Sequence, residues 1–167
     1  DGSDDRLRTV MDARPDILNH NLETPERLYR LARPGGRYDR ALRLLANARR
    51  MGGPDALTKS GIILGMGEEW DEVLVCMRDL RKSDVNILTL GQYLRPSGGH
   101  LPIARYYTPD EFAELRDIGL DPGVDLQRSD GAARCLDLLS RFEHRFGLVA
   151  DHQLRSLPSR DHGKSSG

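Results

Sequence analysis

Two well-separated segments hold the side chains best suited to chemistry: Asn19-His20-Asn21-Leu22-Glu23-Thr24, and Thr58-Lys59-Ser60-Gly61 running on to Gly65-Met66-Gly67-Glu68. In the first, two carboxamides and a carboxylate, Asn19, Asn21 and Glu23, fall at alternate positions, so on an extended strand they point to one side. A carboxylate can accept both hydrogen bonds of a ribose diol, and carboxamides donate and accept in fixed directions, which suits a hydroxyl-rich ligand. A polar strand end that caps the following helix accounts for the same residues, and Glu23 or Thr24 alone would suffice for that.

In the second segment Gly65 and Gly67 would let the backbone approach a flat or bulky ligand closely. The run lacks the third glycine and downstream acid of a dinucleotide fingerprint and the Gly-Lys-Ser/Thr end of a phosphate loop. Lys59 and Ser60, at the other end of the same strand, are either structural or reach the interior of a barrel. Lys59 is the better functional candidate, because burying an ammonium is costly unless it pairs.

These segments converge only if the chain places both at one face of a sheet, and the hydrophobic pattern supplies the elements for that. Residues 3–13 read as a helix with Leu7, Val10 and Met11 at helical spacing, ended by Pro15. Ile17-Leu18 then leads as a short strand into the Asn/His/Glu segment. A short helix after Thr24 reaches the Pro34-Gly35-Gly36 turn, and a longer one carries Tyr38, Ala41, Leu42, Leu45 and Ala48 on one face up to Gly52-Gly53-Pro54. A strand over Thr58 to Leu64 has a continuous apolar run, as expected when both faces are covered. Its helix, about Glu69 to Lys82, bears the stripe Trp70, Val73, Leu74, Met77 and Leu80. A third strand over Val85 to Leu90 opens into the loop Gly91 to Pro102. Thr108-Pro109-Asp110-Glu111 then starts another helix, with Thr108 as cap, Pro109 at its first position and acids at the positive end of the dipole. Repeated strand-helix order predicts parallel βαβ units, and strand C-termini in such a protein share one face.

Bulk composition narrows the function classes. The 167 residues, 38% hydrophobic and 31% charged with net charge −1, are those of one soluble globular domain plus a tail, with no dense basic run to suggest nucleic acid or a membrane surface. There is no run long and apolar enough for a membrane-spanning helix and no signal-peptide pattern at the start, so the chain reads as cytoplasmic. The absence of an initiator Met suggests an internal start. The two cysteines, Cys76 and Cys135, form no metal-binding pattern, and Cys76 reads as a packing residue within a helix.

Several motifs in unbroken order carry a family resemblance. They are Asp12-Ala13-Arg14-Pro15-Asp16-Ile17-Leu18 continuing through Asn19 to Thr24, then Thr58-Lys59-Ser60-Gly61 through Glu68. After them come Gly91-Gln92-Tyr93-Leu94-Arg95-Pro96, His100-Leu101-Pro102, and Tyr107-Thr108-Pro109-Asp110-Glu111-Phe112. Across about residues 5–119 the chain closely resembles lipoyl synthase, a radical S-adenosylmethionine (SAM) enzyme. The resemblance implies an α/β fold, a partial (β/α) radical-SAM-type barrel with parallel strands. It implies sulfur insertion into an octanoyl chain on a lipoyl-carrier domain, using SAM and two 4Fe-4S clusters: one cleaves SAM to a 5′-deoxyadenosyl radical, and the other is the sulfur donor. Carried over by position, Asn21, Glu23, Gly65, Gly67 and Glu68 become the SAM-facing residues. Asn19, Lys59, Ser60, Arg95 and His100 fall on the substrate side, and no residue is nominated as catalytic or as a metal ligand. A biotin-synthase-like enzyme, which shares the first segment, and an inactive half-barrel acting only as a binding protein are the alternatives.

The departures from the family shape the remaining expectations. The family's cluster cysteines belong upstream of residue 1, and its Gly-Pro-Leu-Val-Arg-Ser-Ser-Tyr ending is not reproduced by Arg155-Ser156 or Ser165-Ser166. Residues 1–119 therefore read as the C-terminal portion of the barrel. Residues 120–167 read as a divergent, largely irregular C-terminal tail, frameshifted in origin, with one helical candidate at 132–146 and a disordered end. The chain alone is expected to bind no 4Fe-4S cluster and to be inactive.

Overall fold

The computed structural model describes residues 3–120 of the chain. Helix α1 (Asp4–Asp12) leads to strand β1 (Ile17–Asn19), a 3-10 turn (Glu26–Leu28), helix α2 (Tyr29–Ala32) and helix α3 (Tyr38–Gly52). Strand β2 (Leu57–Leu64), helix α4 (Trp70–Lys82), strand β3 (Ile87–Gln92) and helix α5 (Pro109–Leu120) follow. The strands form one parallel sheet in the order β1-β2-β3, with Asn19 beside Lys59 and Lys59 beside Ile87. This arc of successive β/α units is the expected partial (β/α) barrel fold. The expectations for residues 121–167, including the helix at 132–146, the disordered end and the frameshift, lie outside the described residues.

The even-numbered residues of β2, Thr58, Ser60, Ile62 and Leu64, are all buried. Ile62 and Leu64 share a core with Leu18, with Ala41, Leu45 and Ala48 of α3, and with Val73, Cys76, Met77 and Leu80 of α4. Side-chain alternation therefore sends Lys59, Gly61 and Ile63 to the opposite face, together with Asn19 and Thr89. Continuous hydrophobicity over Thr58 to Leu64 predicts cover on both faces, but Leu57, Lys59 and Ile63 are only partly buried. The helices pack against one face, while the other is only partly covered among the described residues and mixes polar Asn19, Lys59 and Thr89 with apolar Ile63 and Ile87.

Local signals place the helices. The α4 stripe is core: Val73 and Leu80 are buried, and Trp70 and Leu74 pack against the cluster. At the start of α5, Thr108 N–H donates to Glu111 Oε2 and Glu111 N–H donates to Thr108 Oγ1, a capping box built on the expected cap. Strand β3 starts two residues later than the apolar run predicts. Asp84 turns left-handed (φ 56°), and the Val85 N–H is spent on the Leu80 carbonyl at the end of α4. Asn86 then ties the strand entry to β2 by accepting from Thr58 N–H at 3.0 Å.

Candidate functional site

The first polar segment leaves the sheet through a bulge. Asn19 pairs with Lys59, yet Glu23 bridges Ile62, so the chain advances four residues while β2 advances three. His20 N–H donates to the Lys59 carbonyl, and the next bond to that strand's backbone comes from Glu23 N–H to the Gly61 carbonyl at 2.8 Å. The Leu22 N–H left over between them donates to Ser60 Oγ at 3.1 Å. Thr24 N–H then donates back to the Leu22 carbonyl across Glu23, whose φ is +73°. A bond spanning one residue with positive φ is the strained form of the γ-turn, rare for a residue with a side chain.

This geometry corrects the strand-based expectation for Asn19, Asn21 and Glu23. The strand ends at Asn19, and Glu23 takes its direction from the tight turn rather than from pleat alternation. The nominated groups nevertheless remain close to β2. The Asn21 carboxamide lies over Gly61, where an added Cβ would stand 3.1 Å from both Asn21 Oδ1 and Thr89 Oγ1. Glu23 Oε2 is buried and has no hydrogen-bond partner among the described residues. An unpaired buried carboxylate oxygen is costly unless a donor completes it, and it sits in a turn that itself stores strain.

Ser60 requires a second correction. Neighbouring strand residues face opposite sides, so Lys59 and Ser60 cannot both reach the open face. Ser60 is fully buried on the helix-covered side, bonded to Leu22, and is not available to a substrate. Lys59 stays on the open face beside Asn19, half-buried, with no ion pair among the described residues. Asn19 also borders a recess of about 580 Å³ shared with His20, Leu7 of α1 and Arg40 and Leu44 of α3. Burial, with the Arg33 and Arg40 guanidiniums nearby, holds the His20 imidazole below its ordinary pKa, so the ring is neutral at pH 7.

The second segment forms a compact turn after β2. Gly65 and Gly67 both have positive φ, 111° and 104°, a conformation that glycine adopts without a Cβ penalty. Glu68 is buried, and both its carboxylate oxygens accept from the turn's own backbone, Oε1 from Gly65 N–H at 2.6 Å and Oε2 from Met66 N–H at 2.9 Å. Its observed task is therefore to fold the turn. The chain at Ala104–Tyr107 crosses this turn: Ala104 N–H donates to the Gly65 carbonyl, and Gln92 bonds both the Arg105 carbonyl and the Tyr107 N–H. Tyr107 is buried, with the Arg105 guanidinium 3.7 Å over its ring, and burial pushes its hydroxyl pKa up to about 12.

Arg27 ties the two segments together. Its guanidinium donates to the Gly67 carbonyl at 2.8 Å and forms an ion pair with Glu72 of α4. Arg95 and His100, expected on the substrate side, are exposed, and their hydrogen bonds stay within the loop. Arg95 donates to the Gly98 and His100 carbonyls, and Ser97 Oγ lies 2.8 Å from His100 Nδ1. The structure does not bring them to Asn21 and Glu23.

Sequence reasoning missed Arg33 and has Gln92 and Tyr107 only within the motifs of the resemblance, with no role. For Arg33 the one signal was the Pro34-Gly35-Gly36 turn, where an added Cβ at Gly36 would stand 2.9 Å from Arg33 Cγ. The buried orphan oxygen of Glu23, with Asn21 close by, fits a polyhydroxyl ligand of the nucleoside class. An iron-sulfur cluster does not fit the described residues, where no group of three or more His, Cys, Asp or Glu could hold a metal ion. Cys76 is buried beside Tyr38 with its thiol pushed up to about 11, the reverse of a thiolate ligand.

Comparison with known proteins agrees with these segments. Residues 1–80 match the model of the radical SAM superfamily. Lipoyl synthases from Rubrobacter xylanophilus, Bacillus cytotoxicus and Halalkalibacterium halodurans are 52%, 54% and 51% identical over 122 residues. The match covers 73% of this chain and 38%, 41% and 40% of those relatives, so the chain spans about two fifths of the length of the curated relatives it matches. Over the matched residues the chain belongs to the lipoyl synthase family of the radical SAM superfamily.

Proposed function

We propose that this chain forms the SAM-facing wall, and part of the substrate-facing wall, of a lipoyl synthase. The overall reaction would be sulfur insertion into octanoyl groups carried on a lipoyl-carrier domain. The observation that carries this reading is Glu23, whose buried Oε2 lacks a donor and whose backbone is held in a strained turn beside Asn21. A ribose diol would supply that donor, with Asn21 bonding alongside. The glycine turn shaped by Glu68 would leave room for the nucleotide's flat part, and Lys59 and Asn19 on the open face would meet the substrate side. When bound, SAM supplies the radical precursor of the reaction. The residues described here bind and orient it and hold no cluster, so iron-sulfur ligands, two sets in the resemblance, would come from elsewhere in the assembly. A cytoplasmic setting is part of the same reading.

Calorimetric titration of the chain with SAM tests the assignment. Saturable binding is expected, and Glu23→Ala or Asn21→Ala should weaken it by about tenfold or more, as for removal of a buried hydrogen-bonding group. Absence of saturable binding, or unchanged affinity in both variants, would overturn the reading.

A further inference from the structure

We propose that Ser60 and Arg33 are positioning residues that together hold the one-residue bulge aiming Asn21 and Glu23 at the ligand. The identity of that ligand rests on the SAM reading above; the geometry does not.

A bulge leaves backbone groups without ladder partners, and buried ones must be satisfied by something else. Two are orphaned here. The Leu22 N–H, in a fully buried residue, is taken by Ser60 Oγ at 3.1 Å, and the Asn21 carbonyl is taken by Arg33 Nη1 at 2.6 Å. Both supporting side chains are themselves fixed. Ser60 sits on the helix-covered face of β2, with its own carbonyl accepting from Thr89 Oγ1. Arg33 follows α2, its N–H bonded to the Tyr29 carbonyl and its carbonyl accepting from Gly36 N–H, and its stem passes where a Cβ on Gly36 would be.

The alternative to the bulge is specific. In an unbroken parallel ladder the Leu22 N–H, two residues after His20, would take the Gly61 carbonyl that Glu23 N–H now occupies. Without the Ser60 hydroxyl that slip would satisfy Leu22, release Glu23 from its turn and move its carboxylate from its buried position. Ser60 thus acts on the ligand site from the opposite face of the sheet, and Arg33 acts from the edge of β1.

The test compares Ser60→Ala with Ser60→Thr, which keeps the hydroxyl, and Arg33→Met with Arg33→Lys, which keeps a donor. Amide hydrogen exchange is read at Glu23, Ile62 and Leu64, and SAM affinity is read by titration. Ser60→Ala and Arg33→Met should each speed Glu23 exchange and weaken SAM binding by about tenfold, the scale of one lost hydrogen bond. Ile62 and Leu64 should keep wild-type rates, and Ser60→Thr and Arg33→Lys should recover most of both effects. Wild-type exchange at Glu23 in both disabling variants would overturn the proposal, as would equal acceleration at Ile62 and Leu64, which would mark the residues as general supports of the fold. If Ser60→Ala does not fold, Arg33→Met decides alone. If the wild-type chain binds no SAM, the functional reading fails, while the exchange rates still decide the positioning claim.

Discussion

Arg27 and Glu72 meet as a two-pronged ion pair, Nε to Oε1 at 2.7 Å and Nη2 to Oε2 at 2.8 Å, although they lie in different βα units. The hydrogen bond from Arg27 comes first among the causes that hold the Glu72 carboxyl at about 2, well below the ordinary carboxylate range. A carboxylate lowered in the folded state adds stability that is present above its unfolded pKa and is lost as pH falls toward the folded value. Glu72→Gln should therefore lower stability at pH 7 and flatten the loss of stability between about pH 4.5 and pH 2. Urea titrations across that range check this, and an acid limb as steep as the wild type's would contradict it.

Glu23→Gly separates strain from function. The left-handed backbone at φ +73° costs a residue with a side chain about 1–3 kcal/mol, and glycine escapes most of that while losing some backbone entropy. Removing the unpartnered buried carboxylate oxygen favours folding as well. The variant should melt at or above the wild-type temperature and lose SAM affinity. A clear drop in melting temperature would mean that the turn is not strained in the wild type.

Gly65 is expected to be the least replaceable residue of the second segment. Its φ is +111°, and an added Cβ would meet the Gln92 side chain and stand 2.6 Å from the Arg105 carbonyl, a backbone atom that cannot swing away. Gly65→Ala should cost about 2–4 kcal/mol by combined strain and overpacking. Gly67→Ala, whose Cβ meets nothing closer than 3.7 Å, carries only the conformational part and should cost less. Chemical denaturation of the two variants gives the order, and a reversed order would refute the crossing of Ala104–Tyr107 over the turn.

Cys76 should behave as an inert hydrophobe. Burial pushes its thiol up to about 11, so the folded thiol stays neutral where an unfolded one ionises. Stability should therefore fall as pH rises from about 8.5 toward 11, a loss that Cys76→Ser abolishes. Thiol-reagent labelling compared with Cys76→Ser should show that Cys76 reacts only as fast as the chain opens. Rapid labelling of the native protein at Cys76 would rule this out.

The elements were legible in the sequence wherever local physics decides them. Trp70, Val73, Leu74, Met77 and Leu80 mark α4 by helical period, and Thr108-Pro109-Asp110-Glu111 marks the start of α5 because cap and partner lie in one turn. The residues proposed to face the ligand were legible as types, and their geometry was not. Alternation predicts Asn21 and Glu23 in phase on a strand, but the bulge that replaces it depends on Ser60 and Arg33, remote side chains that no local pattern announces. Lys59 and Ser60 are adjacent polar candidates in the sequence, but the pleat sends one to the open face and the other into the core. The late start of β3 has the same origin: Val85 belongs to the strand by composition and to the end of α4 by its hydrogen bond.

The strand order β1-β2-β3 matches the order of synthesis. Among the described strands, β2 and β3 each therefore find the preceding neighbour already made, and each connecting helix can cover the seam it has just crossed. A chain emerging from the ribosome could lay down this arc one βα unit at a time, without waiting for a distant segment. Such nearest-neighbour growth keeps loop-closure costs low at every step. Arrested nascent chains long enough to place β1, α3, β2 and α4 outside the exit tunnel, but not β3, should already resist proteolysis over Ile17 to Leu64.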